Sequence, residues 1–562
     1  MSERLYIVTL HDRRDLENFY DEMEHIGSRN HLPTREVRVA RRRPISRNTM
    51  YWLTDEEAEA LRQDERVWAV DLTPEEKGLT LDRYYTPYVM NGTFWKGGGV
   101  APTFLDWAKL HCAGDIAQRQ KNVWGSDTAT QTVNEACTIF GDGSNVDIII
   151  GDDVVGSNAN EYNDDQGNSR FVQYDWFGNL NSLVGSIDDD GQTLPTGTYT
   201  YTTTANSNYH GTHVMGTAGG IKYGWAKNAN LYNYDVFTYP ALLVFDYIRA
   251  FHRSKPVNAT TGFKNPTVCN HSWGYNYTVS DLSTNGFNNL NSIFYRGTTY
   301  SAANPGPSGW SRQGVKDDFG FNFDAGNGRI PAVYAALDAD VEDAIEEGII
   351  TIVAAGNSNW YMVDDGHPDY NNTFNYSGLG SAVPLHQGTS PSSAPSCIRV
   401  GALDANADNR RASYSNYGPQ ITIWAPGTQI VSCFNYQGFN DTSPGRVTGV
   451  DYYYPIQGTS MAAPQVCGVL ACYAEGKQRF TNSDAKQVLR EAALEGDITW
   501  NQGLGGGAAG SYGDITAQKE SVNIELRANT GRKSSGDVTR LQGERTQGQT
   551  YPRPKIYQQE GS

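Results

Sequence analysis

Val146-Asp147-Ile148-Ile149-Ile150-Gly151-Asp152-Asp153 is the stretch on which the fold turns. A short unbroken apolar run that ends in small and acidic residues reads as a strand buried on both faces. That is the habit of a parallel sheet covered by helices. Working outward, similar runs occur at 231–236, 267–272, 349–355 and 398–403. Helical spacing appears between them at 213–219, 241–253, 338–347, 461–475 and 483–493. The alternation predicts an α/β fold with a parallel sheet. Polar, aromatic inserts at about 156–205, 275–330 and 360–395 interrupt it.

Upstream, residues 1–79 read as a small α+β unit of order β-α-β-β-α-β. Residues 5–10 are rich in strand formers, and Leu16, Phe19, Met23 and Ile26 recur at helical spacing. Strands at 37–40 and 49–53 flank Arg41-Arg42-Arg43-Pro44, a basic run that reads as a solvated loop or else a cleavable site. Thr54 followed by Glu57 is a capping-box signal for a second helix, and 67–72 closes the unit as a strand. Residues 80–145 read as an extended connection, 146–510 as the main domain, and 511–562 as a flexible polar tail.

Composition narrows the function. A formal charge of −18 over 562 residues argues against nucleic-acid binding, which rests on clustered Lys and Arg. No run approaches the roughly 18 apolar residues of a membrane helix. The opening residues, MSERLYIVTL, lack the basic and apolar segments of a secretory signal. The seven cysteines show no paired spacing, and reduced thiols fit a reducing setting. A cytoplasmic or virion-associated location is therefore expected.

Three motifs carry chemistry. In Gly458-Thr459-Ser460-Met461-Ala462-Ala463-Pro464, a serine opens a helix whose first turn tolerates the proline. Backbone N–H groups there favour negative charge developing on an attacked carbonyl. His210-Gly211-Thr212-His213 supplies an imidazole, whose pKa suits proton transfer from a hydroxyl at neutral pH. No accompanying glutamate or cysteine cluster turns the two histidines into a zinc pair. Asp152 stands at the carboxyl end of the 146–150 strand, where catalytic groups gather in such sheets. It can orient the imidazole and stabilise its charged form.

The order Asp152, His210, Ser460 and the sequences around these residues resemble the subtilase family of serine proteases. Supporting segments match as well. Ala354-Ala355-Gly356-Asn357 resembles the strand end whose asparagine amide donates to the oxyanion, and Ser272-Trp273-Gly274 resembles the edge that pairs with substrate. Residues 1–79 are similar to the family's inhibitory propeptide, which also assists folding. The resemblance implies a subtilisin-like three-layer fold preceded by a ferredoxin-like propeptide. It also implies a peptidase that processes itself, with polypeptide substrates and its own N-terminal unit as partners. Counting along family propeptides puts the cut after Leu79. Val154 stands where the family usually has glycine, and Gly151 where it has a bulky residue, so Asp153 remains an alternative to Asp152.

The catalysis so implied needs no cofactor. Calcium often stabilises the family, and Asp164-Asp165 and Asp188-Asp189-Asp190-Gly191 offer oxygen ligands of the right kind. The rival reading is a non-catalytic structural or binding protein, such as a virion component, on a subtilase scaffold.

Overall fold

The computed structural model describes residues 3–25, 35, 37–43, 45–83, 86–87, 107–113, 139, 141–156, 160–164, 166–185, 194–201, 209–278, 284–321, 329–404, 411–434, 453–495 and 524–526. Residues 3–72 form a unit of strands β1 (Arg4–Leu10), β2 (Arg38–Arg42), β3 (Asn48–Leu53) and β4 (Val67–Leu72) with helices α1 (Leu16–Glu24) and α2 (Asp55–Leu61). The strands lie in the order β2-β3-β1-β4, the topology of a ferredoxin-like β-α-β-β-α-β unit. Its core is Tyr6, Val8, Leu16, Phe19, Met23, Tyr51 and Leu53 among others. The expected capping box is present: Glu57 N donates to Thr54 Oγ1, and Thr54 N donates to Glu57 Oε2.

This unit docks through buried polar groups, and the basic run departs from the sequence reading. Arg41 and Arg43 are buried, Arg43 completely. The Arg43 guanidinium donates to Asp246 and Asp340 at 2.8 Å each and to the Leu242 carbonyl at 2.9 Å. Arg47 bonds Asp343, and Asn48 bonds Asp340 and the Ala336 carbonyl. The acceptors belong to helices Val244–Ser254 and Ala335–Glu346 and the turn before the first. Such a loop finds partners more favourable than water only because the folded chain supplies carboxylates and carbonyls at long range.

Beyond β4 the chain is not a bare connection. Strands β5 (Leu79–Arg83) and β6 (Thr86–Pro87) precede a helix at Trp107–Ala113. That helix is fastened by Trp107 Nε1 to the Thr428 carbonyl and by Lys109 Nζ to the carbonyls of Lys222 and Gly224.

The main sheet contains β7 (Asp147–Asp152), β8 (Asn230–Asp235), β9 (Thr267–His271) and strands Ile350–Ala354, Ile398–Leu403 and Ile423–Pro426. Its order begins β8-β7-β9 and continues through those three strands, every pair parallel. Ile148, Ile149 and Ile150 have no exposed surface, which is why β7 reads as an unbroken apolar run. The far edge holds a surprise: Ile524–Glu525 pairs with Trp424 and with Leu494–Glu495, and Leu526 is buried. That short strand lies inside the stretch expected to be a flexible tail. It is pinned there by backbone pairing, which a composition of polar residues does not announce.

The inserts build structure of their own. Strands Leu290–Tyr295 and Thr298–Tyr300 from one insert join Thr373–Tyr376 and Gly380–Pro384 from another in a four-stranded sheet. Strand β10 (Trp273–Thr278) forms a separate sheet, with β5 on one edge and Arg329–Pro331 on the other. Among the described residues, no helix is long and apolar enough to cross a membrane.

Candidate active site

The structure brings Asp152 and His210 into contact and sets Ser460 against Ser272. Asp152 ends β7, His210 opens helix His210–Gly219, and Ser460 lies in the first turn of helix Thr459–Ala474. Asp152 Oδ1 and His210 Nδ1 are 2.6 Å apart, with both side chains fully buried. Asp152 Oδ1 also accepts the backbone N–H of Asp153 at 2.8 Å. A carboxylate on Nδ1 places the ring proton there and leaves the basic lone pair on Nε2.

The neighbouring Asp153 does something else. Its Oδ1 accepts the backbone N–H of Gly211 at 2.6 Å, at the positive end of the histidine's helix. Geometry therefore gives the imidazole to Asp152 and the helix start to Asp153. Asn233, on β8, holds the turn between them. Its amide nitrogen donates to the carbonyls of Ile150 and Asp153, and its oxygen accepts from Val155 N. Sequence reasoning missed Asn233, and a polar residue midway along a strand of the parallel sheet was the available signal.

Ser460 is buried, and its Oγ donates to the Ser272 carbonyl at 3.0 Å, while Ser272 Oγ donates to the Ser460 carbonyl at 3.1 Å. Asn357 follows strand Ile350–Ala354. Its Oδ1 accepts from both Thr459 N (2.9 Å) and Thr459 Oγ1 (2.8 Å). Two donors on the oxygen fix the amide's orientation, so its NH₂ group points away from Thr459 and is available as a donor beside Ser460.

At Ser272-Trp273-Gly274, the side chain of Trp273 turns inward: Nε1 donates to the Gly151 carbonyl at 2.8 Å and the ring has no exposure. The backbone of Trp273 and Gly274 is the part that faces a partner strand, and β5 holds that edge. Gly151 has its own reason. A Cβ there would stand 2.7 Å from Cε1 and Nδ1 of the buried His271 ring. The absence of a side chain at 151 is what admits an imidazole at 271.

His213 is structural. Its Nε2 lies 2.9 Å from the Ile430 carbonyl and 3.2 Å from that of Tyr454, and burial pushes its pKa down to about 3. Among the described residues no group of three or more His, Cys, Asp or Glu side chains is placed to hold a metal. The Asp164 carboxylate accepts the N–H groups of Gln166 and Asn168 and the Asn168 side chain. Asp165 and Asp188–Gly191 lie outside the described residues. The six described cysteines are buried.

Residues 152–513 match the Subtilase family. The chain is 29% identical over 302 residues to an alkaline proteinase of Hapsidospora chrysogena, covering 54% of this chain and 51% of that protein. It is 27% identical over 300 residues to alkaline serine exoprotease A of Vibrio alginolyticus, covering 53% and 37%. The chain thus spans about half the length, or less, of the curated relatives it matches. Among solved structures, fervidolysin from Fervidobacterium pennivorans aligns over 95% of this chain and 62% of that one, at 18% identity and a TM-score of 0.47. These relatives correct one expectation. They are secreted, extracellular alkaline proteases, which overturns the cytoplasmic or virion-associated location read from the amino-terminal composition.

Proposed function

The chain belongs to the subtilase family, and from that premise we propose that it is a serine endopeptidase working through an acyl-enzyme on Ser460. The observation that carries this reading is the buried 2.6 Å contact between His210 Nδ1 and Asp152 Oδ1. Ser460 Oγ attacks a peptide carbonyl, and His210 takes the proton and returns it to the leaving amine. Asp152 holds the imidazole and stabilises its charged form. The Asn357 amide and backbone N–H groups at the start of the Ser460 helix receive the oxyanion. No step calls on a metal or an organic cofactor.

In the same reading, residues 1–79 are an inhibitory and folding-assisting propeptide, and the enzyme cuts this unit from itself. The docking of β1–β4 onto two helices of the main domain and the seating of β5 along β10 support it.

A fluorophosphonate probe tests the core of the proposal. Protein freed of its N-terminal unit should be labelled, and Ser460→Ala should abolish labelling. Unlabelled wild-type protein, folded and freed of that unit, would favour a non-catalytic scaffold instead.

A further inference from the structure

Asn357 stands in a turn that has no regular structure of its own. Residues 355–360 leave strand Ile350–Ala354 and belong to neither a helix nor a strand. Their backbone polar groups therefore need partners from elsewhere in the fold.

One residue supplies four of those partners. Asn416 Nδ2 donates to the Ala355 carbonyl at 2.8 Å, and the backbone N–H of Asn416 donates to the Gly356 carbonyl at 2.9 Å. Asn416 Oδ1 accepts the backbone N–H groups of Ser358 (3.1 Å) and Trp360 (2.9 Å). The four bonds lie on both sides of Asn357, and Asn416 is buried. Gly356 shows how closely the two segments meet. Its φ is +103°, and a Cβ there would stand 2.5 Å from Asn416 Nδ2. A side chain at 356 would push that amide away.

We propose that Asn416 is a positioning residue for the oxyanion donor: it fixes the turn 355–360 and, through the turn, the place of the Asn357 amide beside Ser460. The inference rests on the peptidase reading above and adds to it a residue that acts through Asn357 rather than on the substrate. The two clamps on Asn357 divide the work. Thr459 grips the side-chain oxygen and sets how the amide is turned. Asn416 grips the backbone on either side and sets where the amide starts from.

The kinetic consequence follows from when the amide acts. An oxyanion forms only as the carbonyl is attacked, so its donor must already stand within hydrogen-bond reach of the oxygen's later position. A displacement of about 1 Å is enough to cost about 10²-fold in rate. Shortening Asn416 leaves the Ser358 and Trp360 N–H groups without their acceptor, and the turn relaxes toward other partners. Ground-state binding makes no use of the amide, so the loss falls on kcat rather than KM.

A residue that merely held the fold together would matter equally with or without the Asn357 amide. A positioning residue has nothing to position once that amide is gone. A double-mutant cycle separates the two. Express the full chain as wild type, Asn416→Ala, Asn357→Ala and the double variant, and measure kcat and KM for peptide hydrolysis, with thermal unfolding alongside. Asn416→Ala should lower kcat about 10- to 100-fold and leave KM within about twofold. In the Asn357→Ala background the same change should lower kcat by less than about threefold. Asn416→Asp keeps the side chain's shape and both acceptor bonds and loses only the donor to Ala355. Its smaller loss of kcat should also vanish in the Asn357→Ala background, and it carries the test if Asn416→Ala does not fold. An unchanged kcat, equal losses with and without the Asn357 amide, or a loss confined to KM overturns this proposal and leaves the peptidase reading intact. A wild-type chain that neither hydrolyses peptides nor reacts with a fluorophosphonate overturns both.

Discussion

Arg43 is the residue whose removal should cost the intact chain most outside the active site. Its guanidinium, with no exposed surface, makes three charge-assisted bonds: to Asp246, to Asp340 and to the Leu242 carbonyl. Bonds of this type contribute about 1.5–3 kcal/mol each. Arg43→Ala removes all three and leaves two fully buried carboxylates without their cation. Breaking a buried pair in this way costs about 3–5 kcal/mol, a third or more of a typical domain's stability.

The charge arithmetic adds a pH signature. Burial pushes Asp340 up to about 6 despite Arg43 beside it. A raised acid pKa means that its stabilising contribution is complete below about pH 4 and is lost as pH rises through 6. Without Arg43 the carboxylates bind protons still more readily, so the penalty of Arg43→Ala should be larger at pH 8 than at pH 5. Urea unfolding of Ser460→Ala and of Ser460→Ala/Arg43→Ala at both pH values measures this. Adding Asp340→Asn should restore part of the loss at pH 8. A penalty below about 1 kcal/mol at pH 8, or one larger at pH 5, would refute the buried-pair account.

In matured enzyme, Asp152→Asn should lower kcat by about 10⁴-fold. Asp153→Asn should keep most activity and lose about 1 kcal/mol of stability through its weakened bond to Gly211; peptide hydrolysis with the reverse ranking would exchange their roles. Asn357→Ala should reduce kcat by about 10²–10³ with little change in KM, and a change confined to KM would remove Asn357 from the oxyanion site. His271 is fully buried, and neither ring nitrogen has a hydrogen-bond partner among the described residues. His271→Met should therefore raise stability by about 1 kcal/mol in thermal or urea unfolding, without moving the pH profile of activity. A loss of stability would show that the imidazole's packing outweighs its unmet polarity.

What the sequence disclosed follows from how local each cause is. The run Ile148–Ile150 announces β7 because a strand buried on both faces needs nothing polar, and Thr54 with Glu57 announces its helix because both capping partners lie within one turn. Arg43 was illegible for the opposite reason. A solvated and a buried arginine are spelled alike, and its acceptors lie 199, 203 and 297 residues away. The strand Ile524–Glu525 was hidden because a short edge pairing is made by backbone, which composition does not encode. The same is true of register. The polar run after β4 suggests an extended peptide on an edge, yet only the pairing of Leu79–Arg83 with Trp273–Tyr277 says which edge it takes and in what register.

The departure at Gly151 shows the two levels acting together. Judged on its own, a glycine before the catalytic candidate loosens the motif and leaves Asp152 and Asp153 hard to tell apart. In the folded chain the space of the missing side chain is taken by the His271 ring from the adjacent strand, which lies tilted against Phe245 with centroids 4.6 Å apart. The strand end keeps its packing, so Asp152 can still meet His210 at 2.6 Å. The space that a side chain at position 151 would take is filled by a ring from a residue 120 positions downstream, so the packing of this strand end is set in space rather than by its own sequence.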